Sequence, residues 1–351
     1  MNQNTNPTIR GLQSDGRHLR RSTGKTWLNS LLRLAGVWVI LGLGTAHAKI
    51  PVILSTDVGN EIDDQWAVVY LLISPEFDVR GIISAHAPTL SPPAGRTSYK
   101  ILLDVVENRM KMMTHPPLFE GASLPLVDAK TPRPNAGVDF LIATSKDFSP
   151  ENRLQVLTIG AVTDVASAIL KDPSVVDRIQ VVDMGFENWP RGGDLFNIAN
   201  DIAAMQVVMD SGVPLIVGSG EVCRQFLSLS LDQARKMVSN RGPVGQWLWE
   251  DFLAWYYRHL KPIRKDDFSR PWVIWDNITL AYLLGMTTHE THPRPRLKDD
   301  LGFEQVGTDR TIVWITSVDS KRLWADFLAK LDSYQRTHAV GQGEGSAFLP
   351  E

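Results

Sequence analysis

The stretch that decides the fold is IPVILSTDVGNEIDDQWAVVYLLIS, residues 50–74. Its opening, Ile50 to Thr56, is a short apolar run rich in β-branched residues. The apolar positions are nearly continuous rather than alternating, which predicts a strand buried on both faces. A polar segment follows, and the pattern over residues 65–74 predicts a helix with Asp63 or Asp64 at its N-terminus. Strand, acidic loop and helix in that order form the first unit of an α/β sheet.

The alternation continues downstream. Residues 79–84 read as a strand, 97–108 as a helix, 154–158 as a strand and 162–170 as a helix. Residues 179–184 and 214–217 read as further strands, with a helix over 202–209 between them. This predicts an α/β fold with a mainly parallel, Rossmann-like open sheet and helices on both faces. Residues 231–260 turn helical and rich in Trp, a helical elaboration of the sheet. Another helix starts near Asp276, a late strand covers 311–316, and an amphipathic helix covers 320–334. With no repeat and no long linker, residues 49–336 read as one domain, and 337–351 as a disordered tail.

The N-terminus carries an address. Arg17, Arg20, Arg21 and Lys25 form a basic region, an apolar run follows over 34–44, and Ala46-His47-Ala48 supplies a small-x-small site. Residues 1–48 therefore read as a secretory signal peptide cleaved after Ala48, which implies a periplasmic or secreted protein. No later stretch is apolar for long enough to span a bilayer. The net charge is −3, from 36 basic and 39 acidic residues, so bulk electrostatics give no reason to expect nucleic acid as a partner. The single cysteine, Cys223, excludes an intrachain disulfide and reads as a packing residue beside a strand.

The chemistry concentrates in Thr56-Asp57-Val58-Gly59-Asn60-Glu61-Ile62-Asp63-Asp64, where four acidic residues fall within eight positions. Crowded carboxylates repel one another and raise each other's pKa. Helix capping explains one aspartate at 63 or 64. It does not explain Asp57, Gly59 and the doubled carboxylate together. A hard divalent cation does, and calcium, with its six to eight oxygen ligands, suits the set better than magnesium. The position also fits, because open α/β sheets bind ligands beyond the carboxyl ends of their strands.

These residues resemble the inosine-uridine-preferring nucleoside hydrolases, whose first strand ends in Asp-x-Gly-x-Asp-Asp. Here Asp57-Val58-Gly59 is followed by Asn60-Glu61-Ile62 and then Asp63-Asp64, two residues longer. The resemblance continues in the same order along the chain. Leu157-Thr158-Ile159-Gly160-Ala161-Val162-Thr163-Asp164 is similar to the family's second segment, and Val181-Val182-Asp183-Met184-Gly185 to its next strand and turn. Leu195-Phe196-Asn197 with Asp201-Ile202-Ala203-Ala204, and Trp275-Asp276-Asn277, are similar to later motifs, and 311–331 to the closing strand and helix. The resemblance implies that Asp57, Asp64, Asp276 and the Ile159 carbonyl hold calcium. It implies a calcium-bound water as nucleophile, Asp57 as its general base, and Asp63 and Asn197 on the ribose hydroxyls. The implied partner is a small-molecule riboside or sugar, with copies of the chain itself, in a homo-oligomer, as the remaining candidate.

Three positions depart from the pattern. Trp275 stands where the family carries its leaving-group histidine, and it can stack on an aglycone but cannot protonate one at neutral pH. Leu195 replaces a glutamate, although Asp194 adjoins it. The loop after the second strand reads Ser84-Ala85-His86-Ala87-Pro88, which makes His86 a candidate pocket residue, and Asn188 is a candidate contact for the sugar's 5′ end. Gly218-Ser219-Gly220 lacks the rest of a phosphate loop and reads as a turn. The sequence thus predicts a calcium-dependent N-glycosidase. The alternatives are a calcium-stabilised sugar or nucleoside receptor without turnover, and a hydrolase of a different glycoside.

Overall fold

The computed structural model describes residues 48–194, 196–260 and 270–343. The expected signal peptide up to residue 47, Leu195, and the end of the expected tail beyond 343 lie outside the described residues. The first half runs β1 (Ile50–Thr56), α1 (Asp63–Ile73), β2 (Phe77–Ser84), α2 (Ala94–Leu103), β3 (Leu118–Glu120), α3 (Ala136–Ser145), β4 (Leu154–Thr158) and α4 (Thr163–Lys171). Then come β5 (Ile179–Met184), α5 (Asn197–Asn200), α6 (Ile202–Ser211), β6 (Leu215–Gly218), α7 (Gly220–Phe226), β7 (Ser228–Leu229), α8 (Leu231–Val238) and α9 (Gly242–Trp255). The chain closes with β8 (Trp272–Val273), α10 (Asn277–Leu283), β9 (Thr287–Pro293), the hairpin β10 (Arg296–Leu297) and β11 (Phe303–Glu304), β12 (Thr311–Val318) and α11 (Ser320–Gly343).

Eight strands form one sheet in the order β3-β2-β1-β4-β5-β6-β12-β9. All neighbours are parallel except β12 and β9. This is the α/β open sheet with helices on both faces that the alternation predicts. The order reverses between β1 and β4, so the chain crosses to opposite sides of β1 and leaves a crevice beyond its carboxyl end.

The period-two geometry of β1 divides the core. Val52 and Leu54 face one layer with Trp66, Phe252 and Phe327, while Ile53 faces the other with Val156, Val181 and Met205. Both faces of β1 are covered, which is why its apolar residues do not alternate.

Several elements carried too little signal to be read. β3 has only three residues. β9, TTHETHP, is mostly exposed at the sheet's edge, where polar side chains and Pro293 discourage pairing with other chains. Gly220 opens α7 rather than closing a turn, and Cys223 lies within that helix, fully buried. Gly218 is required there because a Cβ would come within 2.4 Å of Ile278. The final helix passes position 336 and runs to Gly343.

α11 packs on α1 through an aromatic cluster. The Phe327 ring lies 5.7 Å from Trp66 and 5.2 Å from Tyr70, and all three are fully buried. Phe327→Ala is expected to cost about 3–5 kcal/mol, the usual range for emptying such a site. Urea unfolding measures it, and a loss below about 1 kcal/mol would show that the cluster does not hold α11.

Candidate active site

The site grows from the loop between β1 and α1. The chain turns at Asp57, whose carbonyl accepts from the Asn60 N–H at 3.0 Å. Gly59 has φ +99°, and a Cβ there would strike Ile101 at 2.3 Å, so only glycine fits. The Asn60 amide donates to Asp57 Oδ2 at 3.0 Å, and the Thr89 hydroxyl donates in turn to Asn60 Oδ1. Asp57 is thereby held by two residues that themselves line the cavity. The Thr56 hydroxyl donates to Asp64.

Asp63 and Asp64 open α1, where the helix N-terminus favours negative charge. Asp276 arrives from far along the chain, just before α10. One carboxylate oxygen from each of Asp63, Asp64 and Asp276 lies within 4.8 Å of the others. Asp57 adjoins this trio, and its charge reaches both Asp64 and Asp276. The end of β4 presses against it, since a Cβ on Gly160 would lie 2.9 Å from the Asp57 carboxyl carbon. Asp63, expected on the sugar, is thus one of the trio, and Asp57, expected on the ion, stands beside Asp64.

All four aspartates are buried, at 3% exposure or less. Burial, and then the charges of the neighbouring acids, push Asp57, Asp64 and Asp276 well above the usual carboxylate range. The same causes raise Asp63 to about 8. Among the described residues, no basic side chain forms an ion pair with any of the four. Buried, mutually repelling, all-oxygen donors without a counter-charge fit a hard divalent cation.

The cluster forms the floor of a cavity of about 560 Å³. Asp57, Asp63, Asp64, Ile159, Asn197, Trp275 and Asp276 all line it, so these seven sequence-derived candidates meet in one place. Asn197 opens α5 and donates its amide to the Met184 carbonyl at 2.9 Å, which fixes its orientation. Asp194 accepts from the Phe196 and Ile198 N–H groups and so shapes the same loop.

His86 and Asn188 are not among the lining residues. The His86 ring is buried and bonds Thr163 Oγ1 at 2.8 Å, and Thr163 donates to Asp201, the N-cap of α6. Burial pushes its pKa down. This histidine ties two helices together, and its place at a strand's carboxyl end misled because the ring turns toward α4. Asn188 pairs with Gly192 in a tight turn and accepts from Arg191, so local turn closure occupies it.

Other lining residues carried no signal as single positions. Glu61 lies in the two-residue extension of the acidic loop and accepts from the Trp275 indole N–H at 3.1 Å. Trp255 and His259 share one helical face at i, i+4, with ring centroids 3.6 Å apart, and Trp272 stands 6.3 Å from Trp255. Arg224 pairs with Glu187 and sits 5.7 Å over the Trp275 ring.

Comparison with known proteins identifies the family. The family model for inosine-uridine preferring nucleoside hydrolase matches residues 52–325. An uncharacterised protein of Schizosaccharomyces pombe is 28% identical over 222 residues, 56% of this chain and 70% of its own. The pyrimidine-specific ribonucleoside hydrolase RihA of Escherichia coli is 26% identical over 239 residues, 60% of this chain and 74% of its own. Among solved structures, a plant nucleoside hydrolase, PpNRh1, superposes with a TM-score of 0.65 at 18% identity, covering 81% of this chain and 99% of its own. The chain belongs to the inosine-uridine preferring nucleoside hydrolase family.

The buried acids make a testable coupling between pH and metal. Their raised pKa values mean that the metal-free fold favours protonated carboxyls, so the stability these groups contribute is fully present below the unfolded value of 3.8 and is lost as pH rises, through about 8 for Asp63. A divalent ion competes with those protons. Calcium affinity is therefore expected to rise from about pH 6 to about pH 8, with protons released on binding. Calorimetry in buffers of different ionisation enthalpy reads both. Affinity independent of pH, with no proton release, would contradict the cluster as the binding site.

Proposed function

We propose that this protein is a calcium-dependent hydrolase of N-glycosidic bonds in nucleosides or related ribosides, working in the periplasm or outside the cell. The observation that carries this reading is the meeting of four buried carboxylates, from 57–64 and from 276, with Asn197 around one cavity. Asp57, Asp64, Asp276 and the Ile159 carbonyl are the groups that would hold the ion. When bound, calcium would lower the pKa of a water molecule and fix ribose hydroxyls.

The chain's own residues then divide the work. Asp57 accepts the nucleophile's proton, and its clamp by Asn60 and Thr89 keeps it aimed. Asp63 accepts from one ribose hydroxyl. Asn197 spends its amide N–H on the Met184 carbonyl, which leaves Oδ1 to accept from another. The nearby carboxylates stabilise positive charge growing at the anomeric carbon. Half-buried tryptophans and Phe186 exclude water on the aglycone side.

Trp275 supports a second reading. Its indole cannot protonate a departing base, and its N–H is already given to Glu61. A sugar or nucleoside receptor with no turnover would have that arrangement, as would a hydrolase of a different glycoside.

Release of reducing sugar from a panel of nucleosides and other ribosides decides between these readings. The hydrolase reading expects multiple turnovers that stop with EDTA and return with calcium. It expects Asp57→Asn to lower kcat by on the order of a hundredfold or more. Absence of release, or release that survives both EDTA and Asp57→Asn, contradicts it, and tight binding without release selects the receptor. For the exported location, N-terminal sequencing of the mature protein should begin at Lys49. A mature chain that retains residues 1–48 would contradict cleavage.

A further inference from the structure

The aglycone end of the cavity has a composition of its own. Trp275 hands its N–H to Glu61 at 3.1 Å, and Trp272 lines the cavity with them. Trp255 completes an aromatic wall beside them, and no described partner takes its buried indole N–H. Aromatic faces with a carboxylate among them attract cations, because the ring quadrupole and the full charge act in the same sense. Trp275 already has a cation over its ring, the Arg224 guanidinium, which Glu187 neutralises. Seven side-chain carboxyl groups line the cavity against one guanidinium, and a bound divalent ion would favour their ionised forms.

From this wall we infer that the site prefers ribosides whose aglycone carries a positive charge, of the pyridinium type, and that Glu61 sets the preference. The inference rests on the hydrolase reading above and names its substrate class. It also accounts for the lack of a proton donor at 275. Water forms a bond to C1′ and gives one proton to Asp57, from which it passes to solvent. The C1′–N bond breaks, and its electron pair returns to the ring nitrogen. The cationic ring leaves as a neutral pyridine, so atoms and charge balance with no proton delivered to the aglycone. A neutral purine or pyrimidine leaves with negative charge and lacks that advantage.

The test has a binding arm and a turnover arm, both on the calcium-loaded protein. In the first, calorimetry compares the 1-methylnicotinamide cation with neutral nicotinamide, which has nearly the same shape. The cation is expected to bind at least about tenfold more tightly, and Glu61→Gln, which keeps an acceptor for Trp275, should remove most of that gap. In the second, kcat/KM for nicotinamide riboside is expected to exceed that for uridine and inosine, and Glu61→Gln should narrow the ratio. Equal binding of the two probes, or a gap that survives Glu61→Gln, overturns the inference. If uridine is hydrolysed as well as the cationic riboside, the inference falls while the hydrolase reading stands. If no riboside is cleaved but charge selectivity persists, the hydrolase reading falls and the cation-selective pocket remains.

Discussion

Mutual repulsion among Asp57, Asp63, Asp64 and Asp276 is the constraint on which the rest depends. Each is taken out of water, and among the described residues none is paired with a basic side chain. Such a group is costly to keep unless a cation is its purpose. The fold supplies it with unusual support. A left-handed glycine turns the chain after Asp57, Asn60 and Thr89 hold that carboxylate, and Gly160 lets β4 approach it. Rigid sheet and helix ends, rather than loop tips, therefore fix the donor atoms.

The sheet order explains why residues so distant in sequence meet. Strands leave β1 in both directions, so the carboxyl ends of β1 and β4 border the same crevice. α10 then brings Asp276 to that crevice from the second half of the chain. Asp57, Asp64, Ile159, Asn197 and Asp276, to which the family resemblance points, line the cavity together. Beside them stand Asn60 and Glu61 of the acidic-loop extension and the tryptophans of α9, β8 and the start of α10.

Much of this was legible in the sequence. β1, β4 and β5 stood out because buried parallel strands are unbroken apolar runs, and the acidic loop stood out because no solvated turn needs so many carboxylates. Asp276 and Asn197 were found through the order of motifs and not through any local signal. What stayed hidden depends on side-chain direction. His86 lies at a strand end as a pocket residue would, yet its ring joins Thr163 and Asp201. Glu61 was visible as one more acid, but its hydrogen-bond partner is an indole 214 positions away. Short or exposed elements such as β3 and β9 lack the buried periodicity that makes a strand readable.

The central claim is that one doubly charged ion joins the acidic loop to Asp276. Diffraction from crystals soaked with calcium and ribose, with the ion located by its anomalous signal, tests it most directly. The account expects one calcium about 2.3–2.6 Å from oxygens of Asp57, Asp64 and Asp276 and from the Ile159 carbonyl. No ion peak at the cluster, or an ion bound by the loop alone with the Asp276 carboxylate turned away, would contradict it.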